Sequence, residues 1–186
     1  PPGNFDERSI EEISANDILK IAKIKRRELD VLFGGIVCCG FSLAGVRDPS
    51  DTRNTFYKKQ LELVKGLLPK ISIIENVPAM KNSFILKEDT PVKIRKRVGY
   101  VHQRLDDFKG IKADRRKKGK ALTAKEQREY ESIKKERKDL VELVVMNSIN
   151  VIDDIKNIYS KLGYHVFMQD LNSAWYGAAT YRTRVI

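Results

Sequence analysis

An α/β fold with a mainly parallel sheet is what this sequence of 186 residues predicts. Three observations carry the expectation. Short apolar runs alternate with amphipathic stretches in the order strand, helix, strand, basic excursion, helix, strand. Hydrophobic residues make up 41% of the chain, enough to build a core and too many for a disordered segment. No internal repeat divides the sequence, so one domain with one good-sized core is expected.

Each element has its own justification. Residues 9–27 mix a short helical stretch with a turn at Asp17. Residues 29–36, beginning Leu29-Asp30-Val31-Leu32-Phe33, read as a buried strand, and a loop follows from Val37 to about Arg53. Between residues 54 and 67, Phe56, Leu61, Leu63, Val64 and Leu67 approximate helical spacing, with Pro69 closing the helix. Residues 70–75 form the next buried strand. Pro91, Gly99, Gly110 and Gly119 punctuate the stretch after Lys81, so loops and short helices are expected there. Thr123-Ala124-Lys125-Glu126 has the form of a capping box. The helix it opens continues through the stripe Val141, Val144, Val145, Ile152, Ile155, Tyr159 and Leu162 to Gly163. Residues 164–169 read as a strand, and 184–186 begin another.

The charge is confined. Between Lys93 and Lys138 eighteen Lys or Arg outnumber seven Asp or Glu, a net of +11 that equals the net charge of the whole chain. Residues 82–140 are therefore read as a basic insertion. A solvated helical excursion, a patch that tracks phosphates and a targeting signal are all compatible with such a run. Aromatic residues are sparse in it (Tyr100, Phe108, Tyr130), which argues against a base-stacking platform. No apolar run approaches the ~18 residues of a membrane span, and no signal peptide opens the sequence. Two adjacent cysteines make no disulfide framework, so a reducing, cytoplasmic setting is expected, at the nucleoid if the source is prokaryotic. His102 and His165 have no partners at metal-ligand spacing, and no metal site is expected.

Two turns concentrate the chemistry. GGIVCCGFS at 34–42 leaves the first strand, and IIENV at 73–77 leaves the second. In a parallel sheet such strand ends lie side by side on the face where ligands bind. That places a thiol, Cys38, near a carboxylate, Glu75.

The stretch GGIVCCGFSLAGVRDPSDTRNTFY resembles the block that carries the catalytic cysteine of the DNA (cytosine-5)-methyltransferase family. IIENVPAM resembles the family's ENV block, and LNSAWYGAATYRTRVI at 171–186 resembles its late block. Three ordered blocks make the resemblance specific; it covers residues 12–80 and 146–186. It implies the catalytic part of a Rossmann-like S-adenosylmethionine-dependent methyltransferase fold. Cys38 would add to cytosine carbon 6 as the thiolate, loading electron density onto carbon 5. Glu75 would bind N3 and the exocyclic amine. Arg184 would contact the cytosine O2, and Arg182 would brace Glu75, since the two alternate onto one face of a strand. Asp17, Ile18, Gly35 and Val37 would border the cofactor S-adenosylmethionine. Ser42, Arg47 and Arg53 would hold DNA phosphates in a loop that closes over a flipped base, or else serve as loop charge for solubility.

Departures from the family pattern are equally specific. Ile36-Val37 stand where the family has a proline pair, Cys39 stands for a glutamine, and Thr180 for another. No glycine-rich cofactor turn precedes Asn16-Asp17-Ile18, and no target-recognition region follows the late block. The chain thus reads as part of one catalytic methyltransferase domain, acting on double-stranded DNA, with a complementary polypeptide as a conceivable further partner. An RNA (tRNA) cytosine-5 methyltransferase and a non-catalytic fragment or subunit of a split enzyme are the alternative readings.

Overall fold

Ser14 opens the first helix, α1 (Ala15–Ala22), with a complete capping box: its hydroxyl accepts the Asp17 N–H, and the Asp17 carboxylate accepts the Ser14 N–H. The computed structural model describes residues 6–35, 49 and 56–186. Helix α1 packs on α2 (Phe56–Leu67). The approach is close because Gly66 lies opposite Ala15; a Cβ on Gly66 would come within 2.3 Å of the Ala15 Cβ. Strand β1 (Val31–Gly35) pairs in parallel with β2 (Ile71–Glu75), Val31 opposite Ile71 and Gly35 opposite Glu75. Gly34 is the other glycine that packing demands. A Cβ there would fall 1.9 Å from Oε1 of the buried Gln60, whose Nε2 donates to the Ile73 carbonyl at 3.0 Å.

The two strands are not buried as the sequence suggested. Val31, Phe33 and Ile71 are 48%, 63% and 54% exposed. Among the described residues, helices pack on the face carrying Leu32, Gly34, Ser72 and Ile74; there the Ser72 and Tyr159 hydroxyls meet at 2.6 Å. The expectation of a mainly parallel sheet is also corrected. Among the described residues the strands form three two-stranded sheets. Of these, β3 (Phe84–Leu86) with β4 (Ser148–Asn150) and β5 (Asp170–Asn172) with β6 (Thr183–Val185) are antiparallel. Residues 164–169 do not form the expected strand; only Gln169 exchanges backbone bonds, with Ile186, and pairing proper starts at Asp170. Among the described residues, 164–168 have no strand partner.

The basic insertion differs most from expectation. One helix, α3 (Val92–Lys117), runs through both Gly99 and Gly110, and Gly119 at φ 62° begins the turn after it. The capping box at Thr123 and Glu126 is present and opens α4 (Ala124–Asp139). That helix does not continue to Leu162. It gives way to the short α5 (Val141–Met146), strand β4 and α6 (Val151–Lys161). Asn150 explains the break: its side chain caps the Ile152 and Asp153 N–H groups, restarting the helix after a strand residue.

Two apolar clusters result. The larger gathers Tyr57, Leu61 and Val64 of α2, Met80, Ile85, Val151, Ile155 and Tyr159 of α6, and Val185 of β6. Inside it the Tyr57 hydroxyl donates to Asp154 Oδ2 at 2.5 Å, and burial together with that carboxylate pushes the phenol far above its ordinary range. The smaller cluster, Val101, Leu105, Phe108, Ile133 and Leu140, belongs to the α3–α4 pair. None of the described helices is long and apolar enough to cross a membrane.

Candidate active site

The carboxyl end of β2 is where the separate blocks meet. Glu75 is the last residue of the strand, on the face that the helices leave open. Its neighbour Asn76 turns the chain. Buried at 2% exposure, Asn76 exchanges backbone hydrogen bonds with Val185 at 3.0 and 2.9 Å, and its Oδ1 accepts the Val77 N–H at 2.8 Å. This bridge fixes β6 against the end of β2 and delivers Arg184 to Glu75.

Arg184 Nε lies 2.8 Å from Glu75 Oε1, within the range of a charge-assisted hydrogen bond. The guanidinium also donates from Nη1 to the Thr183 carbonyl at 2.8 Å. Both partners are about a quarter exposed, 25% for Arg184 and 27% for Glu75, so the pair is reachable from solvent. On the other side, a Cβ on Gly35 would sit 3.6 Å from Glu75 Oε2, an ordinary contact. The carboxylate thus lies beside the residue from which the chain leaves β1 toward Cys38.

The bracing contact expected of Arg182 is made by Arg184. Arg182 is exposed, and the 183–185 strand begins one residue after it. Cys38, Cys39, Val37, Ser42, Arg47 and Arg53 lie outside the described residues. Asp17 and Ile18 are on α1. Hydrogen bonds from Ser14 and the 3.9 Å approach of Arg8 all engage Asp17 Oδ2, and the Ser14 bonds hold the carboxyl below its usual range. Oδ1 is left as the oxygen open to another donor. Gly35 offers no cradle of its own, since a side chain there would meet only Glu75 at ordinary contact distance.

Sequence reasoning missed the support behind Arg184. Asn172, 1% exposed, caps the short turn that follows it by accepting the Ala174 N–H at 3.0 Å and donates to Thr183 Oγ1 at 3.1 Å. An Asn before Ser-Ala is a capping signal that was available in the sequence. Lys81 ties the turn after Val77 to β5 through Asp170 Oδ2 at 2.6 Å. Separately, a cavity of about 650 Å³ lies along the outer edge of β2, between α6 and residues 164–169. Its walls are mostly apolar.

Comparison with known proteins is consistent with this arrangement. The model of the C-5 cytosine-specific DNA methylase family matches residues 3–100. The type II methyltransferase M.XorII of Xanthomonas oryzae pv. oryzae is 34% identical over 84 residues, covering 44% of this chain and 20% of that protein. The orphan methyltransferase M.SPRI of Bacillus phage SPR is 40% identical over 73 residues, 39% of this chain and 17% of its own length. The type II methyltransferase M.AquIA of Picosynechococcus sp. is 39% identical over 77 residues, 41% of this chain and 31% of its own. The chain therefore spans a third or less of these relatives. No solved structure matches it significantly.

Proposed function

Because the chain belongs to the C-5 cytosine-specific DNA methylase family, we propose that it is the catalytic part of an enzyme that methylates carbon 5 of cytosine in double-stranded DNA. The observation that carries the reading is the Arg184–Glu75 ion pair at the end of β2, beside the strand that leads into Cys38. It joins two of the three blocks that the sequence set apart, at the strand end where the third block begins.

The roles follow from the geometry and the chemistry of the ring. Carbon 5 of cytosine is a poor nucleophile. The Cys38 thiolate adds to carbon 6, forming an S–C bond and pushing the ring electrons toward carbon 5. Glu75 takes the Watson–Crick edge, sharing a proton with N3 and accepting from the exocyclic amine, which eases the addition. Arg184 takes one lone pair of Oε1 and so sets the carboxyl plane, leaving Oε2 and the other lone pair of Oε1 for the base. Once carbon 5 carries the methyl group as well as its proton, loss of that proton to water breaks the S–C bond, releases the thiolate and restores the ring. S-adenosylmethionine, when bound, supplies the methyl group; Asp17 and Ile18 would hold its adenine, with Gly35 and Val37 at the neighbouring strand end. Ser42, Arg47 and Arg53 would grip phosphates around the extruded base. A cytoplasmic enzyme of restriction–modification type, nucleoid-associated if the source is prokaryotic, is the setting this implies.

A duplex containing 5-fluorocytosine tests the reading, because fluorine at carbon 5 blocks the last elimination. In the full-length protein with S-adenosylmethionine, mass spectrometry should find the DNA joined to Cys38. Cys38→Ser should form no adduct and transfer no methyl group while still binding DNA, since a hydroxyl is scarcely ionised at neutral pH. An adduct on Cys39 would overturn the assignment of the nucleophile.

A further inference from the structure

We propose that the tip of the α3–α4 hairpin, Arg116 to Lys120, is a second DNA contact that grips duplex phosphates apart from the base-binding site. The inference rests on the reading that DNA is the substrate and adds to it a surface that none of the motifs contains.

The argument begins with how the hairpin spends its charge. Along its middle, acidic side chains of α4 answer basic ones of α3 across the seam. Arg97 meets Glu136 at 3.9 Å, Arg104 meets Glu129 at 3.5 Å and Glu136 at 3.6 Å, and Arg115 meets Glu126 at 2.8 Å. Lys112 sits 3.5 Å over the Tyr130 ring. These contacts run antiparallel and pin the two helices together over the core of Val101, Leu105, Phe108 and Ile133.

At the tip the balance fails. Arg116, Lys117, Lys118 and Lys120 are all exposed and lie within five residues, around the turn at Gly119. Glu126, the acidic residue facing them across the turn, is already held by Arg115 and by the Thr123 backbone and hydroxyl. Cations in the last turn of a helix are favourable to its dipole, which accounts for Arg115, Arg116 and Lys117. Lys118 and Lys120 lie past the end of α3 and gain little from it. Like charges at this density repel one another unless a polyanion compensates them.

Position and composition select the partner. Helix α3 packs chiefly on α4, and its 26 residues span about 39 Å at ~1.5 Å per residue. The hairpin is thus a stiff arm with four exposed cations crowded around its tip. No aromatic residue occurs between Lys109 and Glu129, so the tip cannot stack on unpaired bases. Lysines and an arginine without a reading partner suit the regularly spaced phosphates of a duplex. The family match covers residues 3–100, so the tip lies outside the matched stretch.

Duplex affinity of the full-length protein, measured by fluorescence anisotropy across a salt series, tests the contact. The variant Arg116→Gln/Lys117→Gln/Lys118→Gln/Lys120→Gln should flatten the slope of log affinity against log salt by about 2–4, at up to ~0.9 per lost phosphate contact. It should weaken all duplex sequences alike and keep its helical circular dichroism. A matched variant at the opposite end, Lys93→Gln/Lys96→Gln/Lys134→Gln/Lys135→Gln, should change the slope far less. An unchanged slope in the first variant, or equal flattening by the second, would overturn the proposal. The 5-fluorocytosine adduct, read on the same samples, separates the two ideas. An adduct with no slope change refutes the hairpin contact alone; a slope change in a wild type that forms no adduct refutes the methyl-transfer reading alone.

Discussion

Arg184 engages Glu75 Oε1 and the Thr183 carbonyl at once, so its guanidinium plane has one orientation rather than a family of them. Replacing it by glutamine should leave folding nearly intact, because a partly exposed ion pair contributes about 1 kcal/mol or less. Catalysis should suffer far more: Arg184→Gln is expected to lower methyl transfer by about 10²–10⁴-fold, the range over which a misplaced proton-transfer group acts. Arg182→Gln, altering an exposed side chain, should cost less than a tenth as much. Tritiated-methyl transfer beside thermal melts would check both; equal losses for the two arginines would refute the assignment. The sequence made Glu75 and the two arginines legible through their motifs. It did not reveal which arginine reaches the carboxylate, since that depends on the Asn76–Val185 bridge. Gln60 was illegible for a related reason. It breaks the apolar stripe of α2, yet it is buried because Gly34 leaves room for it.

Helix α4 illustrates what local signals can and cannot reveal. Its N-terminus was legible, because a capping box is a pattern over four consecutive residues and needs no distant partner. Its end was not, because Leu140 joins the small α3–α4 cluster and the chain then turns to pair Ser148–Asn150 with β3. Helix α3 was missed for the opposite reason. Two glycines argue against a long helix, at about 1 kcal/mol each, but packing of Val98, Val101, Leu105 and Phe108 outweighs them. The capping box also makes the hairpin sensitive to acid. Hydrogen bonds from Arg115, then from Thr123, lower the Glu126 pKa from 4.5 to about 2. A folded value below the unfolded one means stabilisation that is complete above pH 4.5 and is lost as pH falls toward 2. Glu126→Gln should therefore melt below the wild type at pH 6, with the gap closing as the pH falls through that window. A gap that stays constant with pH would show that Glu126 contributes no ionic stabilisation.

The molecule as a whole brings Glu75 and Arg184 together, while Asp17, proposed to meet the cofactor, stands on the short helix α1. The 186 residues contain no glycine-rich turn ahead of Asn16, and Asp17 offers one carboxylate oxygen on a short exposed helix. This polypeptide by itself should bind S-adenosylmethionine with a Kd well above 100 μM, weaker than about 5.5 kcal/mol. Isothermal titration giving micromolar affinity would refute that. The α/β alternation was legible at this scale and the sheet arrangement was not, because strand pairing is settled by contacts between distant segments. Those contacts also govern the order of folding. Glu75 and Arg184 stand more than a hundred residues apart in the chain, and closing so long a loop delays any contact that depends on it. The α3–α4 hairpin, with its own apolar cluster and a locally encoded start at Thr123, can collapse first and shorten the effective span. The charged hairpin would thereby speed the meeting of Glu75 and Arg184, and defects at Ile133 or Phe108 would delay a contact they never touch.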